Sequence, residues 1–93
     1  MRTYVVESFW PGVTEEEFAR GAERMRTVAH ELRAAGTHID FLGGVLIPRD
    51  EVAFWRFVCG SRLAAEEIVS RADLPCERVL ESVELDGASG SAR

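Results

Sequence analysis

One apolar segment stands out in this chain: EVAFWRFVCG, residues Glu51 to Gly60. From Val52 to Val58 the residues are almost all apolar, aromatic or β-branched, which is the composition of a strand covered on both faces. Arg56 interrupts the run, and a charged guanidinium among aromatic side chains requires a carboxylate or a ligand as its partner. The segment therefore predicts a central strand, and Arg56 marks the first place to look for a function.

Length and composition indicate one small globular domain. The 93 residues are 46% hydrophobic and 29% charged, which is ordinary for such a domain. A chain of this size buries only roughly 60–65% of its unfolded surface, so a homodimer would enlarge its core. The net charge of −5 argues against nucleic acid and anionic membranes as partners. All 11 basic residues are Arg, which excludes Schiff-base chemistry by lysine.

Cysteine usage and the first residues both favour a cytoplasmic protein. Cys59 and Cys76 are the only cysteines, and their spacing is neither a disulfide framework nor a Cys-x-x-Cys motif. We interpret both as reduced thiols. The first residues enter a strand pattern directly, without a charged-then-apolar signal segment, and no apolar run reaches membrane-spanning length.

Strand and helix patterns alternate on both sides of the central segment. Thr14 followed by Glu17 predicts a capping box at the start of a long helix, which Gly36 ends. Gly43 and Gly44 predict a bulge or a close backbone approach. The predicted strands are 2–8, 37–41 with a continuation to 47, 51–60 and 78–85, and the helices are 14–36 and 62–72. They form one domain, 1–85, followed by a disordered tail, 86–93.

The order βαββαβ with short connections predicts a ferredoxin-like α+β fold. Its four-stranded antiparallel sheet has the spatial order fourth, first, third, second, and both helices cover one face. The covered face is predicted to carry Tyr4, Val6, Ile39, Phe41, Trp55, Phe57 and Leu80. The opposite face is predicted to carry Val5, Glu7, His38, Asp40, Phe54, Arg56, Val58, Glu81 and Val83.

This second face is too apolar to lie in water and too charged for an ordinary core. It would pack against the same face of a second subunit in a dimeric α+β barrel, line a cavity, or do both. The candidate binding residues for a small molecule in that cavity are Val5, Asp40, Phe54 and Glu81, together with the loop residue Trp10. Packing of Trp10 over the start of the first helix is the alternative for that residue.

The charged residues of this face suggest catalytic roles. Arg56 would hold a carboxylate or an enolate, with Glu7 as general base and Glu81 beside them; a structural network of ion pairs is the alternative. His38 and Asp40 share a strand face and would form an acid–base pair or two ligands of a divalent metal; a solvated histidine at the sheet edge is the alternative.

Two motifs resemble a small bacterial family. They are Tyr4-Val5-Val6-Glu7-Ser8 followed by Pro11-Gly12, and ADLPCERV at residues 72–79. The family is largely a domain of unknown function and includes a nickel-binding, nickel-responsive protein; the resemblance covers Met1 to about Leu85. It implies a ferredoxin-like unit that dimerises, with nickel as a candidate cofactor, and it assigns no metal ligand to a numbered position.

The preferred hypothesis is a cytoplasmic homodimer that binds a small organic molecule around Arg56. One alternative is a cofactor-independent enzyme, of isomerase, cyclase or oxygenase type, acting in the same pocket with Glu7 or His38 as base. A protein that binds nickel or another divalent metal is the next alternative. A purely structural dimerisation module is the last.

Overall fold

The predicted order of strands and helices is present in a computed structural model that describes residues 1–85 and Gly87. The predicted tail, 86–93, lies outside the described residues apart from Gly87. Elements follow the order β1 (Arg2–Phe9), α1 (Glu15–Ala34), β2 (Ile39–Ile47), a 3₁₀ turn (Pro48–Asp50), β3 (Val52–Cys59), α2 (Arg62–Arg71) and β4 (Arg78–Ser82).

The sheet has the predicted spatial order, β2-β3-β1-β4, and every neighbouring pair is antiparallel. The ferredoxin-like α+β fold is therefore confirmed. β3, the segment that stood out in the sequence, lies at the centre of the sheet beside β1. Its side chains alternate between fully buried and half-buried positions, because one face packs under the helices and the other is open.

Both helices begin where the sequence predicts capping residues. The Thr14 side chain accepts a hydrogen bond from the Glu17 backbone N–H at 3.1 Å, and the Glu17 carboxylate accepts one from the Thr14 N–H at 2.9 Å. Ser61 caps α2 by accepting a hydrogen bond from the Ala64 N–H at 3.2 Å. These bonds satisfy backbone donors that a helix start leaves without partners.

Trp55 is the centre of the core between the sheet and the helices. Its side chain is completely buried, and Phe18 of α1 stacks on the indole with ring centroids 4.8 Å apart. The indole N–H donates to the Ser8 hydroxyl at 3.0 Å, and this hydroxyl donates in turn to the Pro75 carbonyl. The one polar atom of the buried indole is thus satisfied, which lets β3 carry a tryptophan in the core.

Gly43 and Gly44 fulfil both sequence predictions made for them. The pairing of β2 with β3 shifts register between Phe41 and Gly43, so a bulge lies at Leu42, and Gly43 has φ +115°. Gly44 pairs with Trp55, and a Cβ on Gly44 would lie 2.7 Å from the indole ring. The first glycine permits the bulge, and the second makes room for the tryptophan.

Replacing Gly44 with alanine is therefore expected to lower the free energy of unfolding by about 1–3 kcal/mol, because the new methyl group overpacks against Trp55. Urea denaturation followed by circular dichroism measures this. Gly60→Ala is the matched control, since a Cβ there would meet nothing within 4 Å. Equal stability of the two variants would contradict the close approach at Gly44.

The prediction for the faces of β4 was wrong. Val79 is buried, whereas Leu80, predicted on the helix-covered face, is 40% exposed. β4 pairs Val79 with Val6 and Glu81 with Tyr4. Glu81 therefore lies on the helix-covered face of the sheet. Val79 and Leu80 are adjacent and both apolar, so the sequence does not show which of them faces the helices. The chain entering β4 decides this, because the Glu77 N–H bonds to the Glu7 carbonyl at 2.7 Å.

Candidate functional site on the open sheet face

The sheet face turned away from the helices, here called the open face, carries an apolar patch. Its exposed members come from three strands and are Phe9, Val45, Ile47 and Leu80, each with between 38% and 53% of its surface accessible. Between them lie the half-buried side chains of Val5, Phe54 and Val58. Exposed apolar side chains gathered on one sheet face make this face the candidate site for an interaction or a ligand.

Arg56 lies in the middle of the open face. It pairs with Val5 of β1 on one side and with Gly43 of β2 on the other. One guanidinium nitrogen forms a salt bridge with the Glu84 carboxylate at 3.1 Å, and another lies 3.5 Å from the Leu42 carbonyl oxygen. The Arg56 side chain is 39% exposed, so a molecule on this face could reach the guanidinium.

Glu7 shares the open face with Arg56 but bonds to another arginine. Its carboxylate accepts a hydrogen bond from Arg78 at 2.6 Å. Glu7 pairs with Phe54 across β1 and β3, which makes it a diagonal neighbour of Arg56, a separation that long side chains can bridge. The two residues are thus brought to one face, each with its own partner.

Glu81 does not join this group. Its carboxylate is bound by Arg2 at the other end of β1. By its pairing with Tyr4, Glu81 lies on the helix-covered face. The predicted cluster of Glu7, Arg56 and Glu81 is therefore wrong in its third member. The reason is that Val79, and not Leu80, lies on the helix-covered face of β4. Val83, also predicted on the open face, follows the end of β4 and is 91% exposed.

His38 and Asp40 lie at the start of β2, where both are exposed. They line a cavity of about 310 Å³ together with Arg33, and Asp40 forms a salt bridge with Arg33 at 3.1 Å. β2 is an edge strand, so the arginine of α1 reaches Asp40 around the edge. Within residues 1–85 and Gly87, no three or more His, Cys, Asp or Glu side chains are grouped so as to hold a metal ion.

Trp10 packs against the core, not on the open face with Val5 and Phe54. Its backbone N–H donates to the Glu51 carbonyl at 2.7 Å, and the Glu51 carboxylate accepts a hydrogen bond from the Gly12 N–H at 2.8 Å. These bonds tie the loop after β1 to the connection before β3. Trp10 is therefore a partly buried residue at the core, and its packing over the start of α1 stays a prediction.

Sequence reasoning missed three residues of the open face that matter: Phe9, Arg78 and Glu84. The predicted first strand stops at residue 8, whereas β1 runs to Phe9, on the same face as Glu7. Arg78 was recognised only as a strand start, and its charge opposite Glu7 was the available signal. Glu84 had no usable signal, because its position depends on β4 ending at Ser82.

The two cysteines differ in access. Cys59 is buried at the end of β3, and Cys76 is exposed in the loop before β4. Burial raises the pKa of both thiols, and the nearby Glu66 carboxylate raises the pKa of Cys76 further. Cys59 pairs opposite Arg2, whereas Glu77, next to Cys76, bonds to Glu7, so the cysteines lie near opposite ends of β1.

We expect a thiol reagent such as dithionitrobenzoate to modify one cysteine per native chain, Cys76, because Cys59 is inaccessible. At pH 8 the reaction of Cys76 is expected to be slower than that of a small free thiol, since a raised pKa leaves less thiolate. Cys76→Ser should abolish the native reaction, and urea should expose the second thiol. Rapid labelling of native Cys76→Ser would contradict this assignment.

The fold and the open face define a ferredoxin-like α+β protein in which neither of the two described helices covers one face of the sheet. The chain resembles a solved structure, the crystal structure of SCO4226 from Streptomyces coelicolor A3(2), with a TM-score of 0.75 and 12% sequence identity over 90% of this chain and 99% of that chain. No protein-family model and no curated protein matches the chain. The likeness shows the fold. Among the described residues, no helix has the length and apolar character needed to cross a membrane.

Proposed function

We propose that this protein is a cytoplasmic homodimer that binds a small organic molecule on the open face around Arg56. The observation that carries the proposal is the gathering of exposed apolar side chains on that face with one arginine at its centre. Ligand pockets are mostly apolar, with a few polar groups that orient the ligand. Val5, Phe54 and Val58 supply such a lining, and the Arg56 guanidinium supplies the polar group.

The charges of the open face support a second copy of the chain as the partner. Glu7 is bound by Arg78, and Arg56 by Glu84, so these acids and arginines are neutralised within one chain. In a two-fold dimer the same patch meets itself, and a face with unpaired charges of one sign would repel its copy. A second copy would also add core to a domain that is small for its surface.

Light scattering and native mass spectrometry of protein purified without a metal-affinity tag test this proposal. We expect a mass of twice 10.3 kDa, with additional mass from a co-purified organic molecule or with binding from a metabolite screen. A monomer at every concentration would overturn the homodimer. A dimer that binds no molecule in the screen would overturn ligand binding and leave a purely structural dimerisation module as the remaining hypothesis.

An enzyme acting in the same pocket is the second candidate, and the diagonal placement of Glu7 beside Arg56 favours it. A carboxylate and a guanidinium on one face can share proton transfer and anion stabilisation without an organic cofactor. If so, Glu7→Gln would abolish turnover of the bound molecule and leave its binding intact. Nickel, implied by the family resemblance, would appear as a metal mass in the same spectra and disappear in His38→Ala.

A further inference from the structure

Glu84 binds Arg56 from the chain segment that follows the sheet. β4 ends at Ser82, and β1 lies between β4 and β3. The carboxylate of Glu84 nevertheless reaches the guanidinium of Arg56 on β3, at 3.1 Å. Because Arg56 lies on the open face of β3 and β1 separates β3 from β4, the segment after β4 has to reach across the open face for this contact. A group from outside the sheet thus occupies the centre of the proposed pocket.

Among residues 1–85 and Gly87, little else holds Glu84 at Arg56. The residues on both sides, Val83 and Leu85, are each 91% exposed, so they contribute almost no apolar burial. The ion pair itself is open to water, with side-chain exposures of 39% for Arg56 and 40% for Glu84. Exposed ion pairs contribute little free energy, so another carboxylate can compete with Glu84 for Arg56.

The surroundings of Arg56 define the kind of molecule that would displace Glu84. A guanidinium binds carboxylates with two parallel hydrogen bonds, and Glu84 shows that a carboxylate fits at this position. The neighbours of Arg56 on the open face include the apolar side chains of Val5, Phe54 and Leu80. The diagonal neighbour Glu7 is charged, but its carboxylate is bound by Arg78. A ligand with a carboxylate at one end and an apolar body would match both features.

We infer that the ligand of the open face is an apolar carboxylate and that Glu84 occupies the place of its carboxylate in the free protein. The inference rests on the proposed function, because it assigns a chemical class to the same pocket. It adds an internal competitor: binding requires Glu84 to leave Arg56. Removal of the Glu84 charge should therefore strengthen ligand binding. If Glu84 instead contacted the ligand favourably, its removal would weaken binding.

Titration with octanoate, followed by calorimetry and NMR, tests the inference in the wild type and two variants. Glu84→Gln is expected to bind octanoate about two- to fivefold more tightly, the range that loss of an exposed competing ion pair allows. Arg56→Gln is expected to bind at least roughly tenfold more weakly, because a charge-assisted hydrogen bond to the carboxylate is lost. Octanol, which has the same apolar chain without the charge, should bind more weakly than octanoate.

Glu81→Gln and Arg2→Gln are matched controls, since they remove the same charges from an ion pair off the open face. Both are expected to bind octanoate like the wild type. Equal affinity of Glu84→Gln and wild type, or octanol binding as tight as octanoate, would overturn the inference. A dimer that binds a molecule of another class would leave the proposed function standing. A monomer would overturn the homodimer, and the variant comparison would still decide the role of Glu84.

Discussion

Replacing Trp55 with alanine is expected to lower the free energy of unfolding by about 3–5 kcal/mol, the range for removing a large buried aromatic side chain. The indole is completely buried, Phe18 stacks on it, and Gly21 and Gly44 lie against its ring. Gly21 and Gly44 have no side chain with which to fill the space. The Ser8 hydroxyl would also lose the donor that now bonds to it.

Urea denaturation monitored by circular dichroism measures this loss, and Trp55→Phe is an intermediate substitution. Phenylalanine removes the indole N–H and part of the ring volume but keeps an aromatic ring in the core, so its effect should be smaller than that of alanine. Trp10→Ala is the matched control, since Trp10 is only partly buried at the edge of the core. A Trp10→Ala variant less stable than Trp55→Ala would show that the centre of the core has been misplaced.

Replacing Leu80 with aspartate is expected to convert the proposed homodimer into a monomer. Leu80 lies on the open face opposite Val5, and two-fold symmetry would place an unpaired carboxylate in the interface from each copy. Burial of unpaired charge is costly, so we expect the dimer to weaken by at least roughly a hundredfold. The isolated chain should still fold, because Leu80 is already 40% exposed in it.

Light scattering over a range of concentrations distinguishes the two states, with circular dichroism as the check on folding. Leu63→Asp is the matched control: Leu63 lies on α2, is 73% exposed, and stands away from the open face. We expect Leu63→Asp to remain a dimer. If Leu63→Asp dissociated while Leu80→Asp remained a dimer, the interface would lie on the helix side, and the open face would be excluded.

The central strand could be predicted because its composition admits one interpretation. The residues from Val52 to Val58 suit a buried strand, and the capping residues Thr14 and Ser61 set the helix starts by local hydrogen bonds. Such signals act over a few residues, so the sequence carries them in full. The βαββαβ order then leads to the sheet order through general rules of connection.

The candidate site was predicted only in part, because it depends on long-range geometry. Alternation along β1 and β3 placed Val5, Glu7, Phe54 and Arg56 on one face correctly. The phase of β4 depended on how the chain enters it, so Glu81 was assigned to the wrong face. The partner of Arg56 depended on where β4 ends, since only the chain beyond Ser82 brings Glu84 over the sheet.

The bulge at Leu42 also affects how readily this protein can aggregate through the edge of its sheet. β2 is an edge strand, and a long regular edge would offer unpaired backbone groups to any extended polypeptide. The shift in register beside Gly43 interrupts that row near its middle. Strand addition at this edge, and with it growth into fibrils, is therefore disfavoured.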